Sequence, residues 1–375
     1  MVVALATAGL VLAHPATALG AAPDHRRIRE VTPGLTLIRL RWDDGPVRAW
    51  VLRLDLGRGP RPSVALGARR LPSYHATVRD VAEREGALAA VNGDFGDFRP
   101  VHAFVRDGRI VQTGFDPREV IAFAGDSASV ARPRLRMMAV ADGERLRLAA
   151  WNSGPPTGRT VVGFSPVGGL VEAPPPRVCS ARLRPVDEPV RYQVEVVRCG
   201  SQAMAVEENG VVLSARRRGA GSRWIRGLAI GGIVRLELRT GWPDVEHVQG
   251  GQPLLLDHGR VAVRRPCISV NCPRHPRTAV GVGAGCEDAD PATRCSVYLV
   301  VVDGRRSGWS IGMPLVAFAR LMRRVGASSA LNMDGGGSST MVVEGEVVNR
   351  PSLGYERAVP SAFLVLPASM AASEP

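Results

Sequence analysis

From residue 35 the chain alternates apolar and polar positions with a period of two. Leu35-Thr36-Leu37-Ile38-Arg39-Leu40 and Val47-Arg48-Ala49-Trp50-Val51-Leu52-Arg53-Leu54 read as strands, each with a buried face. A 3.6-residue period shows at 76–86, where Thr77 is placed as a cap, Val78, Val81 and Ala82 share a face, and Gly86 ends the run. It shows most clearly after Pro314, where Leu315, Phe318, Ala319 and Met322 face inward, Arg320, Arg323 and Arg324 face water, and Gly326 terminates. The rest reads as short strands and turns. A buried strand covers 87–91, hairpins fill 100–125 around Asp107-Gly108, and strand and turn run from 130 to 250 with Pro174-Pro175-Pro176 as a break. Further strands fall at 278–283, 296–303, 330–333 and 341–343, and a Glu344-Gly345 turn leads to 347–349. No fixed-period repeat or sustained heptad appears. The pattern predicts an α+β fold: a strand-dominated mixed sheet with a few helices. One large domain spans 23–366, with a β-rich subregion at 130–250 and a flexible tail at 367–375.

Composition narrows this picture. At 375 residues, 45% hydrophobic and 22% charged, the chain buries a sizeable core and is not a disordered protein. Its 42 Gly and 29 Pro favour many turns and short strands. The net charge is +13, and all 48 basic residues are arginine. Most of that arginine is read as the coding bias of a GC-rich genome, with particular placed residues left as anion contacts. Arginine is spread along the chain and only Arg216-Arg217-Arg218 forms a run, so no nucleic-acid partner is expected.

Residues 1–22 combine an apolar stretch with a small-residue region, Ala16-Thr17-Ala18-Leu19-Gly20-Ala21-Ala22, and read as a secretory signal without its positive start. No later segment is long and apolar enough to span a bilayer. Six cysteines fall as three neighbouring pairs, and the simplest of fifteen connectivities is Cys179–Cys199, Cys267–Cys272 and Cys286–Cys295. Export and disulfides reinforce each other, which predicts a secreted or cell-wall-associated protein.

The densest chemical signal is Asp334-Gly335-Gly336-Gly337-Ser338-Ser339-Thr340. Successive glycines let main-chain N–H groups converge on an anion, and the flanks add a carboxylate and three hydroxyls. The alternative is a tight strand-to-strand loop. No Lys accompanies it and a strand follows, so it is not a phosphate-binding Walker loop. Asn92-Gly93-Asp94 lies at another strand end, with Asp94 a base, nucleophile or ligand; an Asn-Gly hairpin turn is equally compatible. Arg277, entering an apolar strand with Thr278, is read as a phosphoryl clamp or else a surface arginine. Asn349 and the Glu356-Arg357 pair matter only if the chain folds them back to the glycine loop. Histidines lack metal-ligand spacing, and no nucleophile elbow is present.

Taken together, Ala90-Val91-Asn92-Gly93-Asp94-Phe95, Arg277-Thr278-Ala279-Val280-Gly281, Val301-Val302-Asp303-Gly304-Arg305, Leu331 to Thr340 and Val348-Asn349-Arg350-Pro351-Ser352 with Glu356-Arg357 resemble the phosphodiester glycosidase family. The resemblance covers roughly 85–365 and is strongest over 248–360; Gly96 stands where the family often has a second aromatic. It implies hydrolysis of a sugar-1-phosphodiester at the glycosidic bond, with a phosphorylated carbohydrate or cell-wall glycan as substrate. Asp94 and Asp334 are the expected catalytic carboxylates and Glu356 a reserve. Asn92, Gly93, Thr278, Asp303, Gly335, Gly336, Gly337, Ser338, Ser339, Thr340, Asn349 and Arg357 join Arg277 as substrate contacts. No cofactor is required on this reading; the alternative is a divalent cation, calcium, between Asp94 and Asp334. A wall-binding protein without catalysis and a phosphodiesterase cutting the P–O bond are the rival readings.

Overall fold

The computed structural model describes residues 22–71, 73, 76–168, 177–186, 190–242, 244–263, 272–286 and 294–368. The signal-sequence assignment falls on residues outside this set, apart from residue 22, as do the 174–176 break and most of the tail. Strands dominate. An eight-stranded antiparallel sheet runs in the order His25–Thr32, Leu35–Trp42, Val47–Asp55, Ser296–Val302, Arg277–Gly283, Ala327–Asn332, Leu254–Asp257, Arg260–Val261. A five-stranded sheet has the order Glu346–Val347, Met341–Val343, Ala89–Asn92, Ser361–Leu366, Arg61–Leu66. A second five-stranded sheet, Arg109–Gln112, Phe104–Arg106, His247–Gly250, Val120–Ala124, Ser127–Ala131, carries the predicted Asp107-Gly108 hairpin.

The period-two pattern explains how these sheets stack. On Val47–Asp55, Leu52 and Leu54 enter one core with Val91, Phe104, Phe123 and Phe363, while Ala49 and Val51 enter another with Phe318 and Met322. The strand Arg277–Gly283 is buried at every position because both sheet faces are covered. Two helices lie where the 3.6 period placed them. Helix α1, Val78–Arg84, has a capping box in which the Thr77 hydroxyl accepts from the Asp80 N–H and the Asp80 carboxylate accepts from the Thr77 N–H. Helix α2, Ala220–Gly227, had no such signal: Gly bounds it at 219 and 227, and Trp224 and Ile225 are its only large apolar residues. Helix α3, Leu315–Val325, starts after Pro314 and ends on Gly326 in the left-handed conformation.

The middle of the chain closes into a seven-stranded barrel from Arg136–Ala141 to Ile233–Arg239, which removes the sheet edges that open strands would expose. Its interior is apolar, and it packs through Ala103, Val105, Val120 and Val248 onto the outer face of the second five-stranded sheet. Cys179–Cys199 staples the barrel and Cys286–Cys295 a loop of the large sheet. Cys272 is disulfide-bonded as well, and its predicted partner Cys267 lies outside the described residues. No helix among the described residues is long and apolar enough to cross a membrane.

Candidate active site

The segments singled out in the sequence meet where the eight-stranded sheet adjoins the Ala89–Asn92 sheet. Asn92 ends its strand and is fully buried. Its amide Nδ2 donates to the Asp334 main-chain carbonyl at 2.7 Å, and its Oδ1 accepts from Thr278 Oγ1 at 2.8 Å and the Thr340 N–H at 3.2 Å. Thr278 Oγ1 also lies 3.2 Å from Ser339 Oγ. One side chain thus ties three distant segments together. Gly93 follows, and its carbonyl accepts from the Asp334 N–H at 3.1 Å. A Cβ at Gly93 would lie 1.7 Å from Gln249 Nε2, so the fit of this strand end requires glycine. Neither loop is the tight hairpin considered as an alternative. The 334–340 segment crosses from one sheet to another through a short 3-10 turn, Gly336–Ser338, and Asn92-Gly93 leads away to a different sheet.

Asp334 is the more open of the two expected carboxylates. Its Oδ1 accepts from the Gly335 N–H at 2.9 Å and its Oδ2 from Ser338 Oγ at 2.6 Å. Burial pushes its pKa above the ordinary carboxylate value, against the lowering effects of Ser338, the Arg357 charge and the Gly335 N–H; the Asp94 charge adds to the rise. Asp94 itself is 1% exposed and saturated with donors. Its Oδ1 accepts from the Phe95 N–H and faces His102 Nδ1, both at 2.7 Å, and its Oδ2 accepts from the His102 N–H at 2.7 Å. Facing a carboxylate, Nδ1 carries the proton and donates. The geometry therefore fits Asp94 as an anchor for the 93–102 loop and Asp334 as the carboxylate that meets a ligand. His102 was not assigned to the site from sequence, because no local spacing links it to Asp94.

Cations follow a similar redistribution. Arg277 does not face the glycine loop. Side chains alternate along its strand, Thr278 points to Asn92, and Arg277 turns the other way. Its Nε donates to the Met313 carbonyl at 2.9 Å and its Nη2 to the Pro273 carbonyl at 2.6 Å, and burial, with the nearby Arg305 charge, pushes its pKa down to about 10. It holds the 273–277 and 313 segments together, a positioning contact in place of the expected phosphoryl clamp. Arg305 borders the glycine turn: its Nη1 and Nη2 lie 3.1 Å from where a Gly336 Cβ would sit. The Arg357 Cδ lies 3.6 Å from the corresponding point on Gly337. Two guanidinium side chains thus border two adjacent glycines beside Asp334. Arg305 was legible only as part of its motif; its left-handed φ of 58° turns the chain there.

Glu356 faces α1 instead of this centre. Its carboxylate accepts from the Arg79 N–H at 3.2 Å and lies 3.4 Å from the Arg79 guanidinium. It serves the helix start, where an anion is favoured. Asp303 and Asn349 brace the site from beneath. Asp303 is buried and accepts from Asn349 Nδ2, the Arg350 N–H and Trp309 Nε1, while Asn349 accepts from the Met341 N–H and donates to the Ser339 carbonyl. Burial raises the Asp303 pKa even so. The Trp309 ring is held between the Arg48 and Arg350 guanidinium groups at 3.8 and 3.7 Å.

Buried polar atoms without partners concentrate here. Of seven such atoms among the described residues, His102 Nε2, Gln249 Oε1, Asn332 Oδ1 and Thr340 Oγ1 belong to segments that build the site. Each is costly, and such costs are characteristic of functional centres. Among the described residues no three His, Cys, Asp or Glu side chains gather as a metal-ligand group.

Comparison with known proteins adds a family match over part of the chain and a fold. Residues 190–366 match the phosphodiester glycosidase family model. No curated protein sequence matches the chain. A hypothetical protein from Synechocystis aligns with a TM-score of 0.70 and 21% identity over 91% of this chain; the chain spans 63% of that protein's length. A Burkholderia pseudomallei protein described as a candidate exported protein aligns with a TM-score of 0.69 and 24% identity, covering 86% of this chain and 74% of the other. The zebrafish N-acetylglucosamine-1-phosphodiester α-N-acetylglucosaminidase catalytic domain aligns at a TM-score of 0.44 and 14% identity, covering 92% and 86%.

Proposed function

We propose that this chain, whose residues 190–366 carry the phosphodiester glycosidase family match, is a secreted hydrolase that cleaves the glycosidic bond of sugar-1-phosphodiesters. The observation that supports this most is the pairing of one accessible carboxylate, Asp334, with two guanidinium side chains, Arg305 and Arg357, across the glycine turn. The scissile bond joins an anomeric carbon to a phosphate oxygen. Positive charge grows on the sugar as the bond breaks, and negative charge grows on the departing phosphate. Asp334 meets the first, by attack or by electrostatic stabilisation. Arg305, Arg357 and the main-chain N–H groups of the glycine turn meet the second. A phosphate monoester departs readily, so no strong general acid is needed. Asn92, Thr278 and Ser339 hold the turn in register, and Asp94 with His102 fixes the facing loop.

The rim suits a sugar. Tyr355 is 67% exposed and Phe98 58%, and their neighbours Arg357 and Asp97 pair across it at 3.3 Å. Aromatic faces stack on the apolar faces of sugar rings. Disulfides in the chain fit an oxidising compartment, and the substrate class in this reading is a phosphorylated glycan or cell-wall polymer. The test is product analysis on a panel of sugar phosphodiesters. Free reducing sugar with a phosphate monoester supports the proposal. Sugar phosphate as the product means P–O cleavage and rejects it, and saturable binding without any product means a binding protein.

A further inference from the structure

The run Arg216-Arg217-Arg218 plays no part in the site just described. The strand Val211–Arg216 ends at one end of the barrel beside Val178–Pro185, and the Arg217 N–H donates to the Arg177 carbonyl at 3.0 Å. Arg177, Arg216, Arg217 and Arg218 thereby surround one hollow of about 830 Å³, with Gly158 at its edge. All four are exposed. Among the described residues none has a carboxylate within ion-pair distance. Several other arginines of the barrel are paired instead. Arg182 pairs with Glu195 and Glu207, Arg184 with Glu195, and Arg145 and Arg235 with Glu237. Glu195, Glu207 and Glu237 are thus engaged away from the hollow, around which four guanidinium-bearing side chains of like charge gather. Their mutual repulsion is relieved by an anion from outside. The platform is braced too: Cys179–Cys199 joins the adjoining strands two residues from Arg177.

We propose that this end of the barrel is a second binding site, for the anionic groups of a phosphate-bearing glycan polymer, separate from the glycine-turn centre. Guanidinium forks match phosphate oxygens, and several in a row suit repeated phosphates along one chain. Among the described residues no aromatic side chain lines the hollow, which disfavours the base stacking that single-stranded nucleic acid uses. The choice of glycan rests on the function proposed above; the anion site rests on the arginines alone. The site would hold the polymer while the glycine-turn centre cleaves.

The experiment compares the full chain with the combined variant R216Q/R217Q/R218Q. The probes are a poly(glycosyl 1-phosphate), neutral dextran and a DNA duplex. The glycosyl phosphate polymer binds the native chain and loses about tenfold or more in affinity in the variant, while turnover of a small p-nitrophenyl sugar phosphodiester and the melting temperature stay unchanged. Equal affinity of both proteins for the polymer overturns the site. Tighter binding of the DNA duplex than of the polymer overturns the glycan assignment. If neither protein turns over the small substrate, the catalytic reading fails while the binding comparison still decides this one.

Discussion

The side-chain amide of Asn92 donates to the main-chain carbonyl of Asp334 at 2.7 Å, across 242 residues of sequence. This bond, with the Asp334 N–H returned to the Gly93 carbonyl, sets the distance between the two loops on which the proposed chemistry depends. Asn92→Ala removes one donor and one acceptor that serve three buried partners. The variant should lose about 2–4 kcal/mol of stability, and kcat/KM should fall even at temperatures where it stays folded. Chemical denaturation and kinetics on the same sample check both.

Gly93→Ala tests close packing at that strand end. The new methyl would sit 1.7 Å from Gln249 Nε2 and 2.7 Å from Ser361 Oγ. An overpacked site of this kind should lower stability by about 1–3 kcal/mol. Gly345→Ala meets no such neighbour, although its positive φ still strains it. Gly93→Ala should therefore reduce activity in the surviving folded fraction, whereas Gly345→Ala should not.

Arg357→Gln has a sign that follows from electrostatics. The Arg357 charge holds the Asp334 pKa down against burial. Without it the carboxyl keeps its proton to higher pH. The acid limb of the kcat/KM profile, expected above the ordinary carboxylate value in the native chain, should move further toward neutral pH in the variant. An unmoved acid limb would separate Arg357 from Asp334.

Asp303→Ala should act through stability. It strips the acceptor from Trp309 Nε1, Asn349 Nδ2 and the Arg350 N–H, and the loss is about 3 kcal/mol. Because the folded pKa of Asp303 is raised, its proton linkage favours the folded state below the ordinary carboxylate value, and that contribution is lost as pH rises through the raised value. The stability gap between native protein and variant should therefore be larger at acidic pH than at neutral pH, read by thermal melts across that range.

Much of this was legible in the sequence for physical reasons. The period-two and 3.6-residue patterns report which face is buried, so the strands of the large sheet and helices α1 and α3 could be placed. Helix α2 could not, because eight residues bounded by glycine carry too little periodicity. The glycine turn stood out by composition. Side-chain direction did not. Arg277 and Thr278 are neighbours in sequence, yet strand alternation sends one to main-chain carbonyls near Met313 and the other into the site. The partnership of Asp94 with His102 and the diversion of Glu356 to α1 are tertiary facts that no local spacing encodes.

The most direct test of the central claim is the fate of solvent oxygen. Turnover of a sugar-1-phosphodiester in heavy-oxygen water by the native chain should place the label in the released sugar. Asp334→Asn should suppress that product by about a thousandfold or more while leaving the melting temperature nearly unchanged. Label in the phosphate, or full turnover by an equally stable Asp334→Asn protein, would contradict the account.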